Sequence, residues 1–238
     1  LLKLEDQIVF QALANAFAER VRTPRQKVVG NCVFSNQPNA DPNGIFFLQD
    51  WRVGYRAYLD QIRKYFDDGF RWVAHFDLAA FYDTISHELL FRTAFPKLKA
   101  ASGKDTICAW LEKWSTPHKT WPLQHGIPQG PMASDFLAEV FLLPLDERMG
   151  RKHRYVRYVD DIRLFGKTEL EVQTAVRDLE ILCRDRGLIP QGKKFAITQV
   201  SSPREALGAL PSIPPANDPS GTVVALSASR AELLFDTA

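Results

Sequence analysis

Two adjacent carboxylates, Asp160 and Asp161, stand between apolar runs, Arg157-Tyr158-Val159 before them and Ile162-Arg163-Leu164-Phe165 after. That pattern predicts strand, tight turn, strand, with both acids exposed at the turn. A third acid, Asp77, follows the strand-like run Trp72-Val73-Ala74-His75-Phe76. Carboxylates brought together from separate strand ends could hold divalent cations, because hard oxygen ligands suit Mg²⁺. Two such cations support phosphoryl and nucleotidyl transfer, one acidifying an attacking hydroxyl and the other neutralising the leaving phosphates. Asp77 lies 83 residues before Asp160, so local geometry alone does not join them. From the acids by themselves, a solvated acidic turn and a hydrolytic two-metal nuclease also remain open.

A second signal is His125-Gly126-Ile127-Pro128-Gln129-Gly130-Pro131-Met132-Ala133-Ser134. Its glycines and prolines could simply turn the chain into the next helix. The same turn would let backbone approach a nucleotide closely, with Gln129 free to hydrogen-bond to sugar or phosphate. Ser134 suits either the helix start or a contact to a template strand. A basic run, Arg148, Arg151, Lys152, His153, Arg154 and Arg157, precedes the paired acids. Alone it reads as a solvated surface; beside metal-binding acids it reads as a track for a phosphate backbone.

The whole chain sets loose bounds. Its 238 residues can bury one large core or two lobes, and 45% hydrophobic with 24% charged content is ordinary for a globule. Thirty Lys plus Arg against 28 Asp plus Glu leave a net charge of +2, which by itself says little about nucleic acid. Cys32, Cys108 and Cys183 are too widely spaced for a zinc motif or disulfide framework, so a reducing, cytoplasmic setting is expected. No apolar run approaches membrane-span length and no secretion signal is visible, so no membrane partner is expected. The chain opens at Leu1 inside an apolar-patterned segment, as a fragment would.

The elements that must position these residues follow from periodicity. Helices are predicted over 5–21, with Phe10, Leu13, Phe17 and Val21 in register, and over about 50–66, with Trp51, Tyr55, Leu59, Ile62 and Phe66. Residues 30–49, rich in Asn, Pro, Asp and Gly, read as a surface loop or insertion. Asp68-Gly69 turns into the strand ending at Asp77. Ser86 caps a helix through Phe95, another covers 103–114, and 117–131 is turn-rich. Pro131 opens a helix running toward Asp146. The paired-acid hairpin spans 154–166, and Thr168 with Glu171 forms a capping box for a helix ending near Gly187. Short strands are expected at 195–200 and 205–210, then a proline-interrupted tail with a short helix at 227–236. Strands alternating with helices argue an α/β or α+β sheet layer with helices against one face.

Three segments resemble sequence blocks of reverse transcriptases, above all the bacterial group II intron, retron and abortive-infection branches. Asp77 through Asp83 (DLAAFYD) resembles their first catalytic block. Residues 126–134 (GIPQGPMAS) resemble the nucleotide- and template-contacting block, and 157–165 (RYVDDIRLF) the block with paired aspartates. Their order is also the family's. Residues 4–12 resemble the entry to the fingers, Gly187-Leu188-Ile189-Pro190 with Lys193-Lys194 the end of the post-catalytic helix and its lysine block, and Ala206-Leu207-Gly208-Ala209 the primer-gripping hairpin. The resemblance covers about 1–210.

The resemblance implies an α+β polymerase right-hand fold: partial fingers at 1–74 with a 30–49 insertion, a palm at 75–210, and a 211–238 tail or connection to a thumb. It implies an RNA-directed DNA polymerase using an RNA template, a DNA or RNA primer, dNTPs and two Mg²⁺ ions, with Mn²⁺ a possible substitute. Asp77 and Asp160 become the stronger metal ligands and Asp161 a looser ligand or a positioner of the primer end. Tyr82 takes the aromatic position beneath the incoming sugar, where a ring would clash with a 2′-hydroxyl. Gln129 and Gly130 contact the nucleotide. Lys194, more than Lys193, assists pyrophosphate by charge or proton donation, although a solvated lysine pair explains it equally well.

This chain departs from the family in two places. Pro131-Met132 replaces the usual serine-proline after Gln-Gly, and the basic residues of the fingers that hold triphosphate have no counterpart here. Without a helical thumb after 210, duplex grip requires a longer parent chain, self-association or a thumb-bearing partner. Untemplated or protein-primed synthesis in phage defence stays open, as does an inactive RNA-binding module, which retention of all three acids opposes. A viral RNA-dependent RNA polymerase is disfavoured by Tyr82, where a small or acidic residue would better admit ribose.

Overall fold

The computed structural model describes residues 2–39, 46–96, 101–115, 124–191 and 196–208, with side chains from 104 onward in the third stretch. The expected 227–236 helix, Lys193, Lys194 and residues 117–123 of the 117–131 turn region lie outside these residues. A four-stranded antiparallel sheet forms the centre, in the order β3 (Arg154–Tyr158), β4 (Asp161–Gly166), β1 (Trp72–Phe76), β6 (Ile197–Gln199). A second ladder pairs β2 (Leu78–Ala79) with β5 (Ile189–Pro190), extending the chain beyond Asp77. Among the described residues no helix is long and apolar enough to cross a membrane.

Side-chain alternation along the strands sends apolar residues to both faces. Ala74, Phe76, Tyr155, Ile162 and Leu164 share one core with residues of α6 (Met132–Lys152) and α7 (Glu169–Asp185). Val73, Val156 and Phe165 face the other way, against Tyr58, Ile62 and Phe66 of α2 (Trp51–Asp67) and Ala206 of α8 (Pro203–Leu207). The expectation of helices on one face is therefore corrected. Each side chain of this size contributes roughly 1.5–3 kcal/mol when fully buried, so α2 is anchored as firmly as a core helix.

Local chemistry explains most boundaries. α1 (Leu4–Arg25) carries Glu5 and Asp6 in its first turn and Arg22 and Arg25 in its last, complementing the helix dipole. Ser86 accepts from the Leu89 amide to start α4 (His87–Ala94), and Thr168 accepts from the Glu171 amide to start α7. α5 covers Ala101–Ser115 and the short α3 covers Phe81–Thr84.

Three expectations fail. α6 continues past Asp146 to Lys152, so Arg148, Arg151 and Lys152 belong to a helix end. Residues 203–207 are helical rather than a strand, because Ser202 accepts from the Glu205 amide and Pro203 sits at the first turn. Within the expected 30–49 surface loop, residues 32–35 are buried rather than exposed. The Phe34 amide donates to the Arg157 carbonyl (3.1 Å), and the Arg157 amide donates to the Cys32 carbonyl (2.8 Å). Gly54 of α2 permits this approach, since a Cβ there would run into the Phe34 carbonyl.

Candidate active site

The three acids sit at one end of the sheet. β1 pairs β4 with Phe76 opposite Ile162, so the next residues along, Asp77 and Asp161, leave the ladder side by side. Tyr158 pairs with Asp161 across the hairpin, making Val159 and Asp160 the two turn residues. Neither acid of the pair is exposed as the turn pattern predicts. Asp160 is 6% accessible and Asp161 is half-buried, because α2 lies over the hairpin with Tyr55 and Tyr58 packed on Tyr158.

Each acid has a distinct environment. Asp77 accepts from the Leu78 amide at 2.9 Å, and its own carbonyl receives the Gln191 amide from the β5 side. Asp161 lies 3.7 Å from Arg163 on the same strand face, with the Tyr58 hydroxyl nearby but outside hydrogen-bond geometry. Burial raises its carboxyl above the ordinary range, with Arg163 and Tyr58 opposing and Asp77 adding to the rise. Asp160 adds its negative field to that around Tyr82. Among the described residues no three acid, histidine or cysteine side chains close into a ready metal cage. The donor chemistry of the three carboxylates nonetheless suits hard divalent cations.

Tyr82, in α3, donates its hydroxyl to Asp135 at 2.7 Å, and burial first, then Asp135, raises its phenol far above the usual value. The ring is thereby fixed between the Asp77 strand and the start of α6. Residues 125–127 are stitched to the same region. The Gly126 amide donates to the Ile85 carbonyl, the Ile127 amide to the Tyr82 carbonyl, and His87 bonds the Gly126 carbonyl at 2.6 Å. Ser134 is fully buried and donates to the Pro128 carbonyl, so it braces the loop rather than reaching outward. Gln129 and Gly130 remain exposed, Gly130 at φ +113, a backbone state that a side chain would strain. Lys194 lies outside the described residues.

The basic run does not lie beside the acids as a unit. Arg154 begins β3, a strand's length (about 13 Å) from Tyr158. There Arg151 and Arg154, with Lys27 and Lys64, line a cavity of about 650 Å³ at the opposite end of the sheet. Lys152 and His153 are held by Asp178. Arg157 points into the core, donating to Glu139 (2.6 Å) and twice to Asp146 (2.7 and 2.9 Å), all three nearly inaccessible. Burial opposes its charge, but Asp146 and Glu139 prevail and hold its pKa well above the ordinary arginine value. Sequence adjacency concealed this network. Its signal was two acids seven residues apart on one helix face amid apolar residues, opposite an inward strand arginine.

An antiparallel sheet with paired acids at a hairpin and a third acid on the neighbouring strand is the palm arrangement of template-copying polymerases. The reverse transcriptase (RNA-dependent DNA polymerase) family model matches residues 8–210, and the chain belongs to that family of nucleotidyltransferases. Among curated proteins, none matches this chain by sequence. Solved structures share the fold. Apo telomerase from Candida tropicalis superposes with TM-score 0.55 at 10% identity, over 80% of this chain and 37% of that one. Telomerase from Candida albicans, solved with the TWJ fragment of telomeric RNA, gives 0.52 at 12% identity over 82% and 35%. A Candida tropicalis telomerase truncated from its C-terminal domain gives 0.52 at 11% identity over 81% and 41%. The chain thus spans 35–41% of the length of these neighbours.

Proposed function

We propose that this chain is the fingers-palm core of an RNA-directed DNA polymerase that joins dNTPs to a primer 3′-hydroxyl. The observation that carries this reading is the β1–β4 register, which brings Asp77 beside the Asp160-Asp161 turn within a chain matched to the family. Asp77 and Asp160 would hold the divalent cations, which supply Lewis-acid activation of the hydroxyl and charge neutralisation at the phosphates. Asp161, paired with Arg163, keeps the hairpin end in place. Tyr82, anchored by Asp135, presents its ring to the sugar of the incoming nucleotide, and exposed Gln129 contacts that nucleotide from the loop. Lys194 is assigned to the pyrophosphate side. An RNA template fits the family and the neighbour solved with telomeric RNA.

Primer extension by the full-length protein on a primed RNA template, with product sequencing, tests the reading. The expected product is complementary DNA formed only when template is present, and lost in Asp160→Asn while the circular dichroism spectrum is retained. Wild-type extension by folded Asp160→Asn would remove the site assignment. DNA made without template complementarity would instead support untemplated or protein-primed synthesis of the kind used in phage defence.

A further inference from the structure

The turn that presents Asp160 is held in an unfavourable backbone state. A two-residue hairpin loop needs positive φ at its first central residue, which Gly or Asn adopts cheaply. Here that residue is Val159, at φ +55, and a β-branched side chain makes this conformation costly. The surroundings must therefore over-determine it. They do so from both sides of the residue. The Val159 carbonyl accepts from Arg157 Nη1 at 2.7 Å, and the Val159 amide donates to Ser35 Oγ at 2.8 Å.

Ser35 has little freedom in this role. It is 1% accessible, and its hydroxyl donates to Glu139 Oε1 at 2.5 Å while accepting from Val159. Glu139 is itself fixed by Arg157 on its other oxygen. The segment carrying Ser35 is clamped to β3 through Cys32 and Phe34. One hydroxyl thus transmits a rigid, buried ion network to the backbone amide immediately before Asp160.

We propose that Ser35 is a positioning residue for nucleotidyl transfer, setting the direction in which the Asp160 carboxylate leaves the turn. The proposal rests on Asp160 being a cation-holding residue. Without the hydroxyl, a buried N–H loses its partner, and the Tyr158–Val159 peptide is free to rotate, letting Val159 relax out of its left-handed state and changing the direction of the following Asp160.

The test uses the full-length protein. Melting temperature, kcat for extension, and Mn²⁺ affinity by electron paramagnetic resonance are measured, the last with dideoxy-terminated primer, template and dNTP. Loss of an outer support of a metal site typically costs about 10–100-fold in affinity or activity, and Ser35→Ala is expected to lose both by that order. Ser35→Thr, which keeps the hydroxyl, recovers most of each. Ser35→Cys, whose thiol fills the space but accepts weakly, gives the same direction as alanine if alanine does not fold. Cys32→Ala, in the same segment, lowers the melting temperature but leaves kcat and Mn²⁺ affinity unchanged. Unchanged kcat and Mn²⁺ affinity in Ser35→Ala, or equal losses in Cys32→Ala, would assign Ser35 to packing alone and overturn the proposal. Asp160→Asn measured alongside separates the two levels. If it retains Mn²⁺ binding and extension, the site reading itself has failed, and the Ser35 proposal with it.

Discussion

Replacing Arg157 by Met removes the cation that two fully buried carboxylates share. Arg157 makes three hydrogen bonds to Asp146 and Glu139 and a fourth to the Val159 carbonyl, with its side chain 1% accessible. Methionine matches much of the volume, so the cost comes chiefly from uncompensated charge rather than a cavity. Breaking a buried pair by deleting one partner costs about 3–5 kcal/mol. Asp146 gains some relief by taking a proton, since burial already raises its carboxyl above the ordinary range. Arg25, 3.7 Å from Glu139, offers partial compensation at the other acid. A net loss of about 3–4 kcal/mol is therefore expected, equal to roughly 6–16 °C in melting temperature for a domain of this size.

Urea denaturation supplies the assay, with the midpoint reporting stability and an unchanged slope confirming that the native state stays compact. The double-mutant cycle with Asp146→Leu isolates the pairing. Once the arginine is gone, removing the carboxylate should cost less than it does in wild type, by at least about 1 kcal/mol. Additive losses, or a loss below about 1 kcal/mol in Arg157→Met alone, would refute the argument that this network holds the paired-acid hairpin to α6.

Two further outcomes follow from single side chains. Burial, aided by Arg163, lowers His75 to about 4, so the folded chain keeps it neutral while the unfolded chain protonates it near 6.5. The unfolded state then binds more protons, and stability falls as pH drops from about 6.5 toward 4. Denaturation at pH 7 and pH 5 should differ by ~2 kcal/mol from this group, and an unchanged difference in His75→Gln would reject it. At Tyr82, alanine should admit ribonucleotides, whereas Tyr82→Phe should keep the preference for deoxynucleotides while costing about 1.5–3 kcal/mol for the charge-assisted hydrogen bond to Asp135 that it removes. Equal sugar discrimination in alanine and wild type would remove the ring from that role.

The sequence was most legible where structure is local. Alternation around Asp77 and the paired acids located β1, β3 and β4, and the side chains of Ser86 and Thr168 located two helix starts. Ser202-Pro203-Arg204-Glu205 also has the spacing of a helix cap, and the chain is helical there rather than extended. What escaped sequence reasoning depends on distant partners. Asn- and Pro-rich composition marked 30–49 as a surface loop, which is wrong for the burial of residues 32–35 within it. The segment is covered because Ser35 and Phe34 bond residues more than a hundred positions away. Likewise, the exposed turn was inferred from the hairpin alone, without α2 above it.

That covering arrangement gives the site its character. The hairpin bearing Asp160 and Asp161 is a contiguous stretch of sequence, yet its immediate neighbours come from the N-terminal third of the chain. Ser35 holds the Val159 amide, the Tyr58 ring packs on Tyr158, and the Tyr158 hydroxyl donates to the Trp51 carbonyl at 3.3 Å. Meanwhile Arg157 and Glu139 tie the same turn to α6, whose first turn carries the Asp135 that anchors Tyr82. The paired-acid turn and the Tyr82 ring are thus both tied to one helix, with the segment around Ser35 closing the connection. Small changes at Ser35 or Glu139 should therefore reach the acids through buried hydrogen bonds of 2.5–2.8 Å, where slack is least. Exposed Arg151 and Arg154 line the cavity at the other end of β3, a strand's length from the turn, and equivalent changes there should leave the acids undisturbed.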